Sequence, residues 1–170
     1  MNNSPALYVG TYAKYNDGDL AGKWLKFEDY GDREEFIKAA LELHKDEPDP
    51  ELMFPDFENF PEAWYCESSI DDRVFEYAEL EAWERMVVDA YFTIGDDLEI
   101  SEILERFSGA YENWNDYVSN YVEETGMFDN VPDSISGYFD YESFGRDLKM
   151  NYTVVEGFGK DYSTFVFNSY

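Results

Sequence analysis

Adjacent carboxylate pairs such as Glu34-Glu35, Asp71-Asp72, Asp96-Asp97 and Glu123-Glu124 are the residues whose types could do acid–base work. Two carboxylates on either side of a sugar linkage, one protonated and one ionised, are the equipment of glycoside hydrolysis. The chain holds 39 Asp and Glu in 170 residues, however, so pairs arise by number alone and spacing singles none of them out. Solvated helix faces and helix N-caps explain them equally well. The remaining parts of an active site are scarce. His44 is the one imidazole and Cys66 the one thiol, so catalytic triads and zinc sites lack their members. A single cysteine also rules out an internal disulfide, which suits a reducing, cytoplasmic setting. Asn16-Asp17-Gly18-Asp19 is too short for the EF-hand calcium loop of about twelve residues. No catalytic residue, metal or cofactor is expected.

Against 39 acidic residues stand 12 basic ones, a net charge of −27 on a chain that is 44% hydrophobic and 19% aromatic. The aromatic content allows a core, so the charge belongs on a folded surface rather than in a disordered tail. Residues 1–60 carry 14 acidic and 6 basic residues, residues 61–110 carry 14 and 3, and residues 111–170 carry 11 and 3. The acid is therefore spread along the whole chain. Such a surface repels nucleic acid and anionic lipid, and no apolar run is long enough for a membrane helix. The N-terminus lacks the basic start and apolar run of a signal peptide. Asp72, Glu76 and Glu79 fall at i, i+4 and i+7, and Glu81 and Glu84 at i, i+3. On a helix, carboxylates so spaced recur every ~5–6 Å, the order of spacing of phosphates along a nucleic-acid strand. The expected acidic surface comprises Asp71, Asp72, Glu76, Glu79, Glu81, Glu84, Asp96, Asp97, Glu99, Glu102, Glu105, Glu112, Asp116, Glu123 and Glu124.

These residues must be positioned by an α+β fold. Residues 6–12 and 23–27 read as strands joined through the Asp17-Gly18 turn. Asp32 caps a helix from Arg33 to about Lys45, with Phe36, Ile37, Ala40, Leu41 and His44 on one face; His44 at its end reads as a packing or dipole-satisfying residue. Pro48, Pro50, Pro55 and Pro61 mark an extended connection, from which Ala63–Cys66 returns as a strand. One helix is expected from Asp71 to Tyr91, with Val74, Phe75, Ala78, Ala82, Met86, Val87 and Ala90 inward. A second runs from Leu98 to Phe107 and stops at Gly109. A third runs from Tyr111 to Thr125, with Gly126 as its left-handed stop. A short helix or turn at Val131-Pro132-Asp133, another short helix within 138–150, and a hairpin of residues 152–155 and 163–167 close the chain. Three small domains are expected: 1–68 (α+β), 69–109 (acidic, helical) and 110–170 (α+β).

Two segments go beyond composition. KYNDGDLAGKW, residues 14–24, resembles the N-terminal signature of the ArdA antirestriction proteins. YVEETG at 121–126, Val131-Pro132 and YFDYESFGRDL at 138–148 are similar to that family's C-terminal run. An acidic helix at 79–88 matches in character. The resemblance implies an elongated, curved homodimer of three small domains whose carboxylates imitate the phosphates of bent duplex DNA. It implies a partner, the DNA-binding groove of a type I restriction–modification enzyme, and a carrier, a mobile genetic element entering a new cell. It also places residues 131–148 at or near the dimer interface, where Tyr138, Phe139, Tyr141 and Phe144 are more aromatic than a solvated surface should be. The competing readings are an acidic chaperone for basic proteins and a carboxylate enzyme.

Overall fold

The computed structural model describes residues 4–159 and 163–170. It divides into two compact units, Met1–Phe92 and Thr93–Tyr170, each α+β with a small antiparallel sheet.

In the first unit, alternation buries Leu7 and Val9 on β1 (Ala6–Thr11). One helical turn, α1 (Tyr12–Asn16), and Gly18 at φ +77° reverse the chain into β2 (Lys23–Lys26). Helix α2 (Arg33–Leu43) starts as expected, the Asp32 carboxylate accepting the Glu35 N–H at 2.9 Å. The proline-rich stretch holds a strand that the sequence reading missed, β3 (Leu52–Glu58), giving the order β2-β1-β3. Pro55 is tolerated because β3 lies at the sheet edge and the register shifts where it sits. Tyr65–Cys66 (β4) forms a short hairpin with Ser69–Ile70 (β5). Over this sheet Phe36 stacks on Phe27, with ring centroids 4.8 Å apart.

The helix expected over 71–91 is two helices, α3 (Arg73–Glu79) and α4 (Ala82–Phe92). Leu80 is extended, and the Glu84 carboxylate reaches back to the Glu81 N–H at 2.8 Å. This is half of a capping box, and it restarts the helix without glycine or proline. Ala82 and Met86 do not face inward as expected. Val87, Val88, Ala90 and Tyr91 make the buried face of α4, and Ala82, Trp83 and Met86 are exposed.

In the second unit, α5 (Ile100–Arg106) leads directly into β6 (Phe107–Tyr111), another strand not expected. Gly109 is not a helix stop; it sits in β6 at φ +138°, at a register shift, with the Tyr111 ring against it. Helix α6 (Trp114–Glu124) buries Tyr117, Val118 and Val122 and ends ahead of Gly126 at φ +62°. After α7 (Asp133–Ser136) and α8 (Tyr141–Leu148), β7 (Tyr152–Phe158) and β8 (Ser163–Asn168) pair as the expected hairpin; residues 160–162 of its turn lie outside the described residues. The sheet order is β6-β8-β7, and Phe165, Val166 and Phe167 of β8 are buried.

Candidate functional site

The first unit carries 23 acidic and 8 basic residues. Its helix α3 turns Val74, Tyr77 and Ala78 inward, which leaves Glu76 and Glu79 exposed on the other side, with Asp72 before the helix and Glu81 after it. Not every expected carboxylate is available there. Asp71 is half-buried; burial pushes its carboxyl up, but hydrogen bonds from Arg73, the shortest 2.7 Å, outweigh that and hold it below the usual range. Arg33 Nε lies 2.8 Å from Asp72. Glu84 is engaged in capping. Asp89 accepts the Tyr77 hydroxyl at 2.7 Å, and burial pushes its carboxyl up despite that bond and the charge of Arg85. Of the expected carboxylates around α3 and α4, those left exposed are therefore Asp72, Glu76, Glu79 and Glu81, on α3 and the segments flanking it.

The second unit carries 16 acidic and 4 basic residues. Asp96, Asp97, Glu99, Glu105, Glu112, Asp116, Glu123 and Glu124 are exposed, distributed over α5, α6 and the segments leading into them. Glu102 is half-buried and bonded to Arg106 at 2.6 Å, one turn along α5.

The aromatic run splits into two roles. Phe139 and Phe144 are half-buried and pack on one another at 5.2 Å, Phe139 against Phe128 at 5.1 Å and Phe144 against Tyr121 at 6.2 Å. Beneath them α8 meets α6 at Gly145, whose carbonyl accepts the Trp114 indole N–H at 3.0 Å. Tyr138, at 89% exposure, and Tyr141 project into solvent beside exposed Ile135.

A further cluster surrounds the one histidine. His44 is buried at the end of α2, with Nε2 3.4 Å from the Val9 carbonyl and Nδ1 3.1 Å from Lys14 Nζ. An ammonium has no lone pair, so Nδ1 accepts from Lys14 and Nε2 carries the proton toward Val9. Lys14 also reaches Asp46 at 3.0 Å and Glu47 at 3.3 Å, and the Asp46 hydrogen bond is the main reason its pKa is raised. Ligand atoms of His44, Asp46 and Glu47 lie within 4.8 Å of one another, a spacing a metal could use, but the Lys14 ammonium already fills that position. The sequence marked His44 as a packing residue and gave no sign of Lys14 as its partner.

The arrangement offers exposed carboxylates on helices and on the segments leading into them. A family model described as Antirestriction protein (ArdA) matches residues 7–160, which include both signature segments. The chain belongs to the ArdA antirestriction family. No curated protein matches it. The match runs through both units, so the family assignment covers the α3 surface and the α6–α8 pair alike. Among the described residues, no helix is long and apolar enough to cross a membrane.

Proposed function

We propose that this ArdA protein is a non-enzymatic DNA mimic that occupies the DNA-binding groove of a type I restriction–modification enzyme and so blocks restriction. One observation carries the reading: acid outnumbers base several-fold in each unit separately, while Lys14, Arg33, Arg73 and Arg106 are already tied to the chain's own carboxylates. What remains outside is a negative field, and a groove built to neutralise phosphates is its natural counterpart. A mobile element would use such a protein in the cytoplasm of the cell it enters.

Binding to a purified type I enzyme, with duplex DNA as competitor, tests this. Affinity falls steeply as the Debye length shrinks from about 10 Å at 0.1 M salt to about 3 Å at 1 M. Replacing Glu76, Glu79, Glu81 and Glu105 by Gln weakens binding step by step, since each exposed pair contributes only about 0–1 kcal/mol. One carboxylate whose loss abolishes activity refutes mimicry and favours an enzyme.

The protein works as a two-fold dimer in this reading, because a groove that holds a long duplex needs more ladder than one chain supplies. Tyr138 and Tyr141 supply the self-complementary contact, supported from behind by Phe139 and Phe144.

A further inference from the structure

The outer face of α4 is apolar where a phosphate ladder would be acidic. Trp83 is 54% exposed and Met86 44%. Three residues apart on one helix, they are neighbours on a single patch, with exposed Ala82 beside them. Neither is among the buried core residues, to which α4 contributes Val87, Val88, Ala90 and Tyr91. The patch begins directly after the acidic turn, with Glu79, Glu81 and Glu84 within four residues of Trp83. Duplex DNA presents nothing like it on its phosphate face, so mimicry alone gives no reason for an indole here.

We infer that Trp83 and Met86 form an apolar anchor within the docking surface, which seats against a cationic protein groove and recognises it as protein rather than as a bare field of positive charge. The inference rests on the docking reading above. Charge chooses the occupant. A second copy would bring its own −27 against the carboxylates flanking the patch, whereas a basic groove brings Arg and Lys. An indole that follows directly on exposed Glu79 and Glu81 in the chain suits that chemistry: a guanidinium can lie over the ring face while its charge is met by carboxylates. The sulfur-bearing side chain of Met86 adapts to an irregular apolar floor. The apolar contact of the anchor adds an attraction that salt screens far less than the charge pairs around it.

The test titrates the unaltered chain, Trp83→Ala, Trp83→Phe, Met86→Ala and the charge control Glu76→Gln/Glu79→Gln against a purified type I methyltransferase core, at 0.1 M and 0.5 M salt. Trp83→Ala raises Kd about thirtyfold, the size of a hot-spot truncation, at both salt concentrations. Met86→Ala loses several-fold, Trp83→Phe retains part of the affinity, and the charge control's defect shrinks at 0.5 M salt. The Trp83 and Met86 variants stay folded with thermal midpoints close to the unaltered chain's, because neither side chain is among the buried core residues. An unaltered chain that binds no tighter than Trp83→Ala overturns the anchor and leaves the docking reading standing. An unaltered chain that does not bind overturns both. Normal binding by Trp83→Ala together with a smaller sedimentation coefficient of the free protein overturns the anchor and assigns the patch to a second copy.

Discussion

Gly145→Ala sets two physical effects against each other at the contact of α8 with α6. In a helix interior, alanine is favoured over glycine by about 1 kcal/mol, so propensity alone makes the change stabilising. Gly145 is buried, though, and a Cβ built on it would lie 2.9 Å from Val118 Cγ2 and 3.3 Å from the Trp114 indole nitrogen. Val118 is itself buried in α6 and has nowhere to retreat. Relief must come from parting the helices, which stretches the 3.0 Å bond from the Trp114 indole to the Gly145 carbonyl. Overpacking of this kind costs about 1–3 kcal/mol, and weakening that hydrogen bond adds up to about 1 kcal/mol. Sterics win, and the expected net loss is about 1–2 kcal/mol. Urea unfolding followed by both tryptophan emission and far-ultraviolet circular dichroism measures it, at fixed salt since no charge changes. Trimming Val118 to Ala in the same chain should make the two losses less than additive, because each substitution then relieves the other. A Gly145→Ala protein as stable as the unaltered one, or more so, refutes the close approach.

Asp32→Ala removes the cap of α2 and lowers stability by about 1 kcal/mol in the same urea assay. Asp89→Asn keeps an acceptor for the Tyr77 hydroxyl while removing a carboxylate whose folded pKa is raised by burial. Because the folded state holds that proton more tightly, the unaltered protein loses stability relative to the Asn variant as pH rises above the ordinary carboxylate value of about 4; below it the two converge in thermal melts taken from pH 3 to 8. Tyr138→Ala, which touches only an exposed ring, shifts sedimentation velocity toward monomer at low salt and melts no higher than the unaltered protein diluted to monomer. A dimer undiminished in that variant removes the Tyr138 contact from the assembly.

Local signals in the chain foretold local structure well. Asp32 as a cap, Gly126 in the left-handed region and the alternation of 152–155 with 163–167 each act within a few residues, and the structure contains all three. What escaped notice depends on neighbours distant in sequence. Pro55 argued against a strand, yet β3 exists because β1 offers it an edge. Phe107 reads as the end of one helix, Gly109 as its stop and Tyr111 as the start of the next, until β8 claims Phe107–Tyr111 as a strand partner. The direction of α4 went astray for a similar reason. A seven-residue apolar stripe looked continuous, but the break at Leu80 rotates the face, so the helix turns a different set of side chains inward. The Glu81–Glu84 half-box was the legible warning. Of the acidic surface, the sequence could locate the carboxylates and offer Asp71 to Arg73 and Glu102 to Arg106, but not that Arg33, flanked by Asp32, Glu34 and Glu35, binds the distant Asp72.

The unbalanced carboxylates have a consequence for the protein's working conditions. Within each unit they repel one another, and mobile cations that relieve this repulsion stabilise the compact state. The same cations dull the attraction toward a basic groove. In the proposed docking reading, ionic strength therefore tightens the fold while loosening the complex, and inhibition is expected to pass through a maximum between a dilute regime, where the chain strains against itself, and a concentrated one, where its partner no longer senses it.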